Sequence, residues 1–474
     1  MKGIEFINHF SRTRRSVVFF LVAALVGIPA GTARVLCLGN ACKVQAEASS
    51  KTPFCSLPGK VRRLIQHGFY DGRSPDIMVV TGSSLVIGGD EFGGAASRQV
   101  WPSTALPGVG RVPLVFAGTG VARDAEVPAG TGLDDVSETI AAIVDLRRPH
   151  PKVRSGDPVV GVASGEIPRV VFEIVWKGIG SDDLQRHPRE WPRLRRLMRR
   201  GAGTLAAEVG SLPLEPAATI ATIGTGGVPS RHGITGGLLR PDPTTYGRTN
   251  DQRGPGNPVV RAWQGHATSG VIAALGDHLD EERKQRPVVG VVGTDRRDRG
   301  LIGGGWYPGG DRDVSVILDR TAPLDHQVKA VQGLVTRGAF GHDRVTDLVG
   351  VVLSGPIAEL DRALGRLIKL ADGVSRGSFA IVVTATGNSG AGKAEVKVDA
   401  NALRRRLSQP LPGSPPLVEA LVPGGLYLDQ KALARLKLSD DVVLRELLAM
   451  RGPTGELLLA DAFPAIAVTF GKYC

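Results

Sequence analysis

The residues whose types and spacing could do chemistry gather in two glycine-rich stretches. "PAATIATIGTGGVPSRHGITG", residues 216–236, reads as a small-residue helix that runs into a Gly-Thr-Gly turn, a proline and a His-Gly pair. Gly224, Gly226 and Gly227 carry no Cβ, which suits a close approach between backbone and ligand. Glu215, just ahead of Pro216, is either a helix-start carboxylate that complements the helix dipole or a site residue. Thr219 offers a hydroxyl, which helix packing would turn back on the preceding turn. His232 either holds the loop by a hydrogen bond or acts in catalysis. The second stretch, "GTDRRDRGLIGGGWY" (293–307), sets Asp295, Asp298 and three arginines ahead of a glycine run. It reads as a solvated loop or as the lining of a crevice, because it follows an apolar strand and open α/β sheets bind ligands at their carboxyl strand ends. Asp277 and Asp280 share one helix face, and a lone acidic pair is poor evidence for a metal.

Positioning these residues falls to an alternation of strands and helices. "RVVFEIVW" (169–176), "RPVVGVVGT" (286–294), "VTDLVGVVLS" (345–354) and "SFAIVVTATG" (378–387) are β-branched apolar runs bounded by turn residues. Helices over about 191–202, 270–284 and 356–373 separate them. "DIMVV" (76–80) and "VPLVFAG" (112–118) read as buried strands, and "LDDVSETIAAIVDL" (133–146) as a helix with Asp134 as its cap. The pattern predicts a three-layer α/β/α sandwich around a mostly parallel sheet. A small α+β portion closes the chain, ending in an "AIAVTFGKYC" strand. The expected divisions are 1–50, 51–155, 156–387 and 388–474.

At 474 residues, 42% hydrophobic and 22% charged, the chain has ample length for a core and is not disordered in bulk. A net charge of +12 favours anionic surroundings. With only 5% aromatic residues no base-stacking platform is visible, so no specific nucleic acid is expected. Arg12, Arg14 and Arg15 precede an apolar run from Ser16 to Ile28, the order of an export signal. Cleavage would fall at Ala30–Ala33 or Val44–Ala46, or the segment stays as a membrane anchor reaching Leu38. The bulk of the chain is then expected outside the cytoplasm. Cys37, Cys42, Cys55 and Cys474, an even number at the two ends of an exported chain, read as two disulfides.

Several segments together resemble the alkaline phosphatase superfamily, especially its type I phosphodiesterase and nucleotide pyrophosphatase branch. "VVFEIVWKGI" is similar to its first strand, and "GSLPLEPAATIATIGTGGVPSRHGITG" to its nucleophile helix and the "P-x-x-H-G-I-x-G" loop. "DLVGVVLSGPIAELDRAL" resembles a later ligand-bearing strand, and "FAIVVTATG" sits where the family writes "T-A-D-H-G". "RSPDIMVV", "RVPLVFAG" and "LDDVSETIAAIVDLRRPHPKVRSG" resemble the family's closing part, yet here they come first, so the resemblance implies a circular permutation, with strands 76–80 and 112–118 joining the sheet of 169–176, 345–354 and 378–387. It also implies a fold built for two metal ions, usually zinc, and a hydroxyl nucleophile. Lys177 stands at the expected metal-binding aspartate, and Glu215 or Pro216 falls near the nucleophile position, with Thr219 the nearest hydroxyl. Thr386 and Gly387 replace an aspartate and histidine, as do Ser354, Gly355 and Pro356. The resemblance therefore implies an exported, non-catalytic binder of an anionic or phosphorylated envelope ligand or partner, with no cofactor. Its candidate pocket is Lys177, Glu215, Thr219, His232, Asp295 and Thr386. The alternatives are a zinc hydrolase of phosphate or sulfate esters with remodelled ligands, and a structural cell-surface protein. The permuted order further implies a Cys55–Cys474 disulfide, with Cys37–Cys42 closing a small loop.

Overall fold

In the computed structural model the residues described are 33–38, 41–46, 54–81, 85–88, 99–101, 110–123, 125–240, 260–261, 270–307, 313–387, 396–408, 416–452, 455 and 457–471. The chain forms two compact units, Met1–Thr52 and Pro53–Cys474. In the first, Ala33–Leu38 pairs antiparallel with Ala41–Ala46 and sets Cys37 opposite Cys42. The expected export segment at 12–28 lies outside the described residues.

The second unit is organised by a seven-stranded sheet. Its strands are β1 (Arg111–Gly118), β2 (Val170–Trp176), β3 (Ala202–Glu208), β4 (Val289–Gly293), β5 (Val314–Ile317), β6 (Asp347–Leu353) and β7 (Phe379–Ala385), in the spatial order β5-β4-β6-β2-β7-β1-β3. The five strands from β5 to β7 are parallel. β1 joins β7 antiparallel, and β3 joins β1 antiparallel. The central strands read as unbroken apolar text because both faces are covered; every residue of β2 and β6 is buried. Pro192–Arg200, Leu324–Arg337 and Ile357–Ser375 pack on one another or on these strands. Asp135–Ile143, Leu275–Glu282 and the helix Pro216–Thr225 (α1) form a second group, with α1 lying on the 3-10 turn Arg296–Leu301. Register separates the two faces: a Cβ on Gly290 would meet Leu334 and Phe340, whereas one on Gly350 would meet Leu301 and Ile302. The α/β architecture with a large, mostly parallel sheet is thus as the sequence predicts.

Three details differ from expectation. Ile77–Thr81 does not join the large sheet. It pairs antiparallel with Gly425–Leu428 and Leu459–Pro464 in a four-stranded sheet completed by Val418–Val422. Its two faces bury Ile77 and Val79 among Leu426 and Leu459, and Met78 and Val80 beside Phe54 and Phe463. A strand covered on both sides carries no alternation that would say which sheet it enters. The terminal "AIAVTF" is a helix, Ala465–Phe470, because Pro464 ends the strand 459–464 and sets the N-cap. Asp134 makes no cap bond; its carboxylate accepts from Ser155 Oγ at 2.7 Å instead.

The helix Ala465–Phe470 packs on Gly59–Gly68, and Phe54 stacks edge-on with Phe463 at 5.1 Å between centroids. Gly471 lies so near Phe54 that a Cβ on it would sit 2.1 Å from the ring. The 54–68 segment and the 463–471 segment thus share one packed patch. Cys55 is disulfide-bonded; Cys474 lies outside the described residues.

Candidate anion site

The carboxyl ends of four of the five parallel strands converge on one cleft. Arg320 follows β5, Thr294 and Asp295 follow β4, Ser354 follows β6 and Lys177 follows β2. With Glu215, Pro216 and Ala217 at the start of α1, and with Arg297 and Asp298, they line a cavity of about 250 Å³. This is where an open α/β sheet leaves room for a ligand, because the loops diverge there.

Each carboxylate of the cleft is engaged within the protein. Asp298, 1% exposed, takes Lys177 Nζ at 2.6 Å on one oxygen and the Thr294 and Asp295 amides at 2.9 and 3.0 Å on the other. Asp295 caps the 3-10 turn, accepting from Arg297 N at 3.0 Å, and binds the Arg297 guanidinium through both oxygens at 2.7 and 2.5 Å. Arg320 adds a further bond at 2.6 Å. Burial alone would raise the Asp295 carboxyl. The Arg297 hydrogen bonds and charge outweigh that and, with Lys177, hold it below the usual carboxylate range. Burial likewise works against the Arg297 charge, but its bonds to Asp295 and the nearby Glu215 and Asp298 raise its pKa. Glu215 is the N-cap of α1, accepting from the Ala217 and Ala218 amides at 2.6 and 3.2 Å.

The cations are not used up in the same way. Lys177 spends one of its three N–H donors, on Asp298. Arg297 bonds Asp295 through Nε and Nη2, leaving Nη1 over. Arg320 uses Nη2 alone and its side chain is 60% exposed. Among the described residues the two cleft aspartates are thus fully bonded while the cations keep spare donors.

Of the six residues proposed from the sequence, Lys177, Glu215 and Asp295 line this cavity. Thr386 lies just outside, its Oγ1 accepting from Gly178 N at 2.8 Å and bracing the turn that carries Lys177. Thr219 is 1% exposed and donates to the Glu215 carbonyl at 3.1 Å, so its hydroxyl is spent inside the helix. His232 is fully buried: one ring nitrogen faces Thr222 Oγ1 at 3.0 Å and the other accepts from Ile234 N at 3.0 Å. Burial, with Arg73 nearby, pushes its pKa down to about 3, so the ring is neutral and braces the loop. Asp295, with a loop reading left open by the sequence, belongs to the crevice. Arg320 went unrecognised because β5, half-exposed and only four residues long, gives a weak strand signal.

The donor set does not fit a two-metal centre. A dication at Asp295 or Asp298 would have to displace a guanidinium or an ammonium, and Lys177 would repel it. Among the described residues no group of three or more His, Cys, Asp or Glu side chains is placed to hold a metal.

No family model matches the sequence, and no curated protein matches it. Among solved structures the fold is similar to wild-type alkaline phosphatase PafA, at 15% identity over 60% of this chain and 76% of that one, with a TM-score of 0.44. A mutant of the same enzyme gives 0.42 at the same identity and coverage.

Proposed function

We propose that this chain is a non-catalytic, alkaline-phosphatase-like protein that binds an anionic ligand in the cleft between Lys177, Arg297 and Arg320. The observation that carries the reading is the imbalance of hydrogen-bonding groups. Asp295 and Asp298 have both oxygens bonded inside the protein, while Lys177, Arg297 and Arg320 keep donors that meet no acceptor among the described residues. Charge-assisted N–H donors without a partner are what an oxyanion recognises. Among the described residues no ligand set for the two-metal route is assembled, so the proposed role is binding without turnover. The proposed setting is outside the cytoplasm, supported by the Arg12–Ile28 signal pattern and by a disulfide at Cys55, since disulfides persist in oxidising compartments. The proposed Cys55–Cys474 pairing and the circular permutation draw on the proximity of Gly471 to Phe54 and on β1 beside β7.

Titration calorimetry with the monoanion 4-nitrophenyl sulfate in chelator-treated buffer tests the reading. Binding should be saturable and should weaken at least tenfold in Arg320→Ala, an exposed site whose loss leaves the fold intact. Absence of binding, or hydrolysis of an aryl phosphate that chelator abolishes and zinc restores, would contradict it.

A further inference from the structure

The charges lining the cleft bear on which anion it takes. Lys177, Arg297 and Arg320 face Glu215, Asp295 and Asp298, so the fixed charges cancel. Asp295 and Asp298 are each in direct ion pairs with these cations, at 2.5–2.6 Å. Glu215 differs. Its carboxylate bonds two backbone amides, and no ion pair joins it to a cation. It is nevertheless close to the Arg297 guanidinium: a Cβ on Gly237 would lie 3.1 Å from Glu215 Oε1 and 1.8 Å from Arg297 Nη1. Glu215 therefore acts as the lining charge that offsets the donors without being needed to hold any of them in place.

We infer that Glu215 sets the charge class of the ligand, making the cleft selective for singly charged oxyanions over doubly charged ones. This rests on the anion-binding reading above. The physical reason is a difference in scaling. Attraction to the cations grows in proportion to the ligand's charge, whereas the cost of taking it out of water grows as the square of that charge. In a cleft whose own charges cancel, the second charge of a dianion adds more desolvation than attraction. A cleft with surplus positive charge would reverse the order, and only Glu215 stands between the two regimes. The inferred ligand is a sulfate monoester or another monoanionic ester, and a phosphate monoester, dianionic above a second pKa of about 6, is disfavoured.

4-Nitrophenyl sulfate and 4-nitrophenyl phosphate share one shape and differ in charge at pH 8, so their affinities isolate the effect. Calorimetric titration of the full chain should show the sulfate ester binding about tenfold more tightly, a ratio equivalent to about 1.4 kcal/mol. Glu215→Gln keeps an acceptor for the Ala217 amide and removes the charge. It should shift the ratio toward the phosphate ester by about tenfold, since a dianion gains twice what a monoanion gains from each added positive charge. Glu215→Ser, which also caps a helix, should shift it the same way even if the glutamine variant folds poorly. A wild-type preference for the phosphate ester, or a ratio unmoved in both variants, overturns the role of Glu215. Failure of the wild type to bind either ester overturns the anion-binding reading itself.

Discussion

Glu173 and Lys177 stand four residues apart on one strand line, hence on one face, and meet opposite fates. Lys177 reaches the cleft and pairs with Asp298, whereas Glu173 is fully buried in mid-strand with neither carboxylate oxygen hydrogen-bonded. Burial raises the Glu173 pKa well above 4.5, and the charge of Arg148 only partly offsets this. The native state therefore keeps a proton that the unfolded chain gives up near 4.5, and stability falls as pH rises from there toward the folded pKa. Glu173→Gln removes this dependence. Its stability advantage over wild type should grow by about 1.4 kcal/mol per pH unit above 4.5 in urea melts, and an advantage constant with pH would refute the assignment. Lys177→Met leaves Asp298 buried with a charge that two amides only partly satisfy. It should cost about 3 kcal/mol, read from the same melts. At this scale the sequence revealed the chemistry of the cleft better than its geometry. Lys177 and Glu215 were legible through the resemblance of their segments to a known family, and Asp295 through its place after an apolar strand, and all three line the cleft. Thr219 and His232 were not legible, since a buried hydroxyl or imidazole looks the same in sequence whether it braces a loop or faces a ligand.

The element that aims the site is α1 against the 3-10 turn 296–301. Gly224 sits where a Cβ would lie 2.3 Å from the Leu301 carbonyl oxygen and 2.4 Å from that of Gly300, so the helix and the turn carrying Arg297 and Asp298 touch backbone to backbone. Gly224→Ala must push them apart. It should destabilise the fold by about 2 kcal/mol in denaturant melts and weaken binding of 4-nitrophenyl sulfate by moving Arg297, and unchanged stability would show that the contact is slack. The glycine run was readable as a close approach, but Gly224 approaches protein backbone, and Gly226 and Gly227 abut the side chains of Ser137 and Ile272. The parallel strands were legible from their unbroken β-branched text. The sheet that Ile77–Thr81 enters was not, because its partners at 425–428 and 459–464 lie more than 300 residues away and share no periodic mark with it.

Across the whole molecule, the helix Ala465–Phe470 and the residues around Phe54 share one small core, three residues short of Cys474 on one side and beside Cys55 on the other. The proposed Cys55–Cys474 bond would close a ring of nearly the full unit, for which chain entropy gives about 6 kcal/mol. Non-reducing peptide mapping should recover the two cysteines in one linked pair; Cys55 joined to Cys37 or Cys42 would reject the pairing. The remaining architecture serves the cleft, holding four strand ends in line so that Arg320, Asp295, Ser354 and Lys177 face one space. A crystal structure of the full chain with 4-nitrophenyl sulfate tests that arrangement most directly. The account predicts an intact ester whose sulfate oxygens lie about 3 Å from Lys177 Nζ, Arg297 Nη1 and Arg320, with no metal between them. A cleaved ester on a metal ion, or an ester seated away from these three cations with the cleft left open, would contradict it.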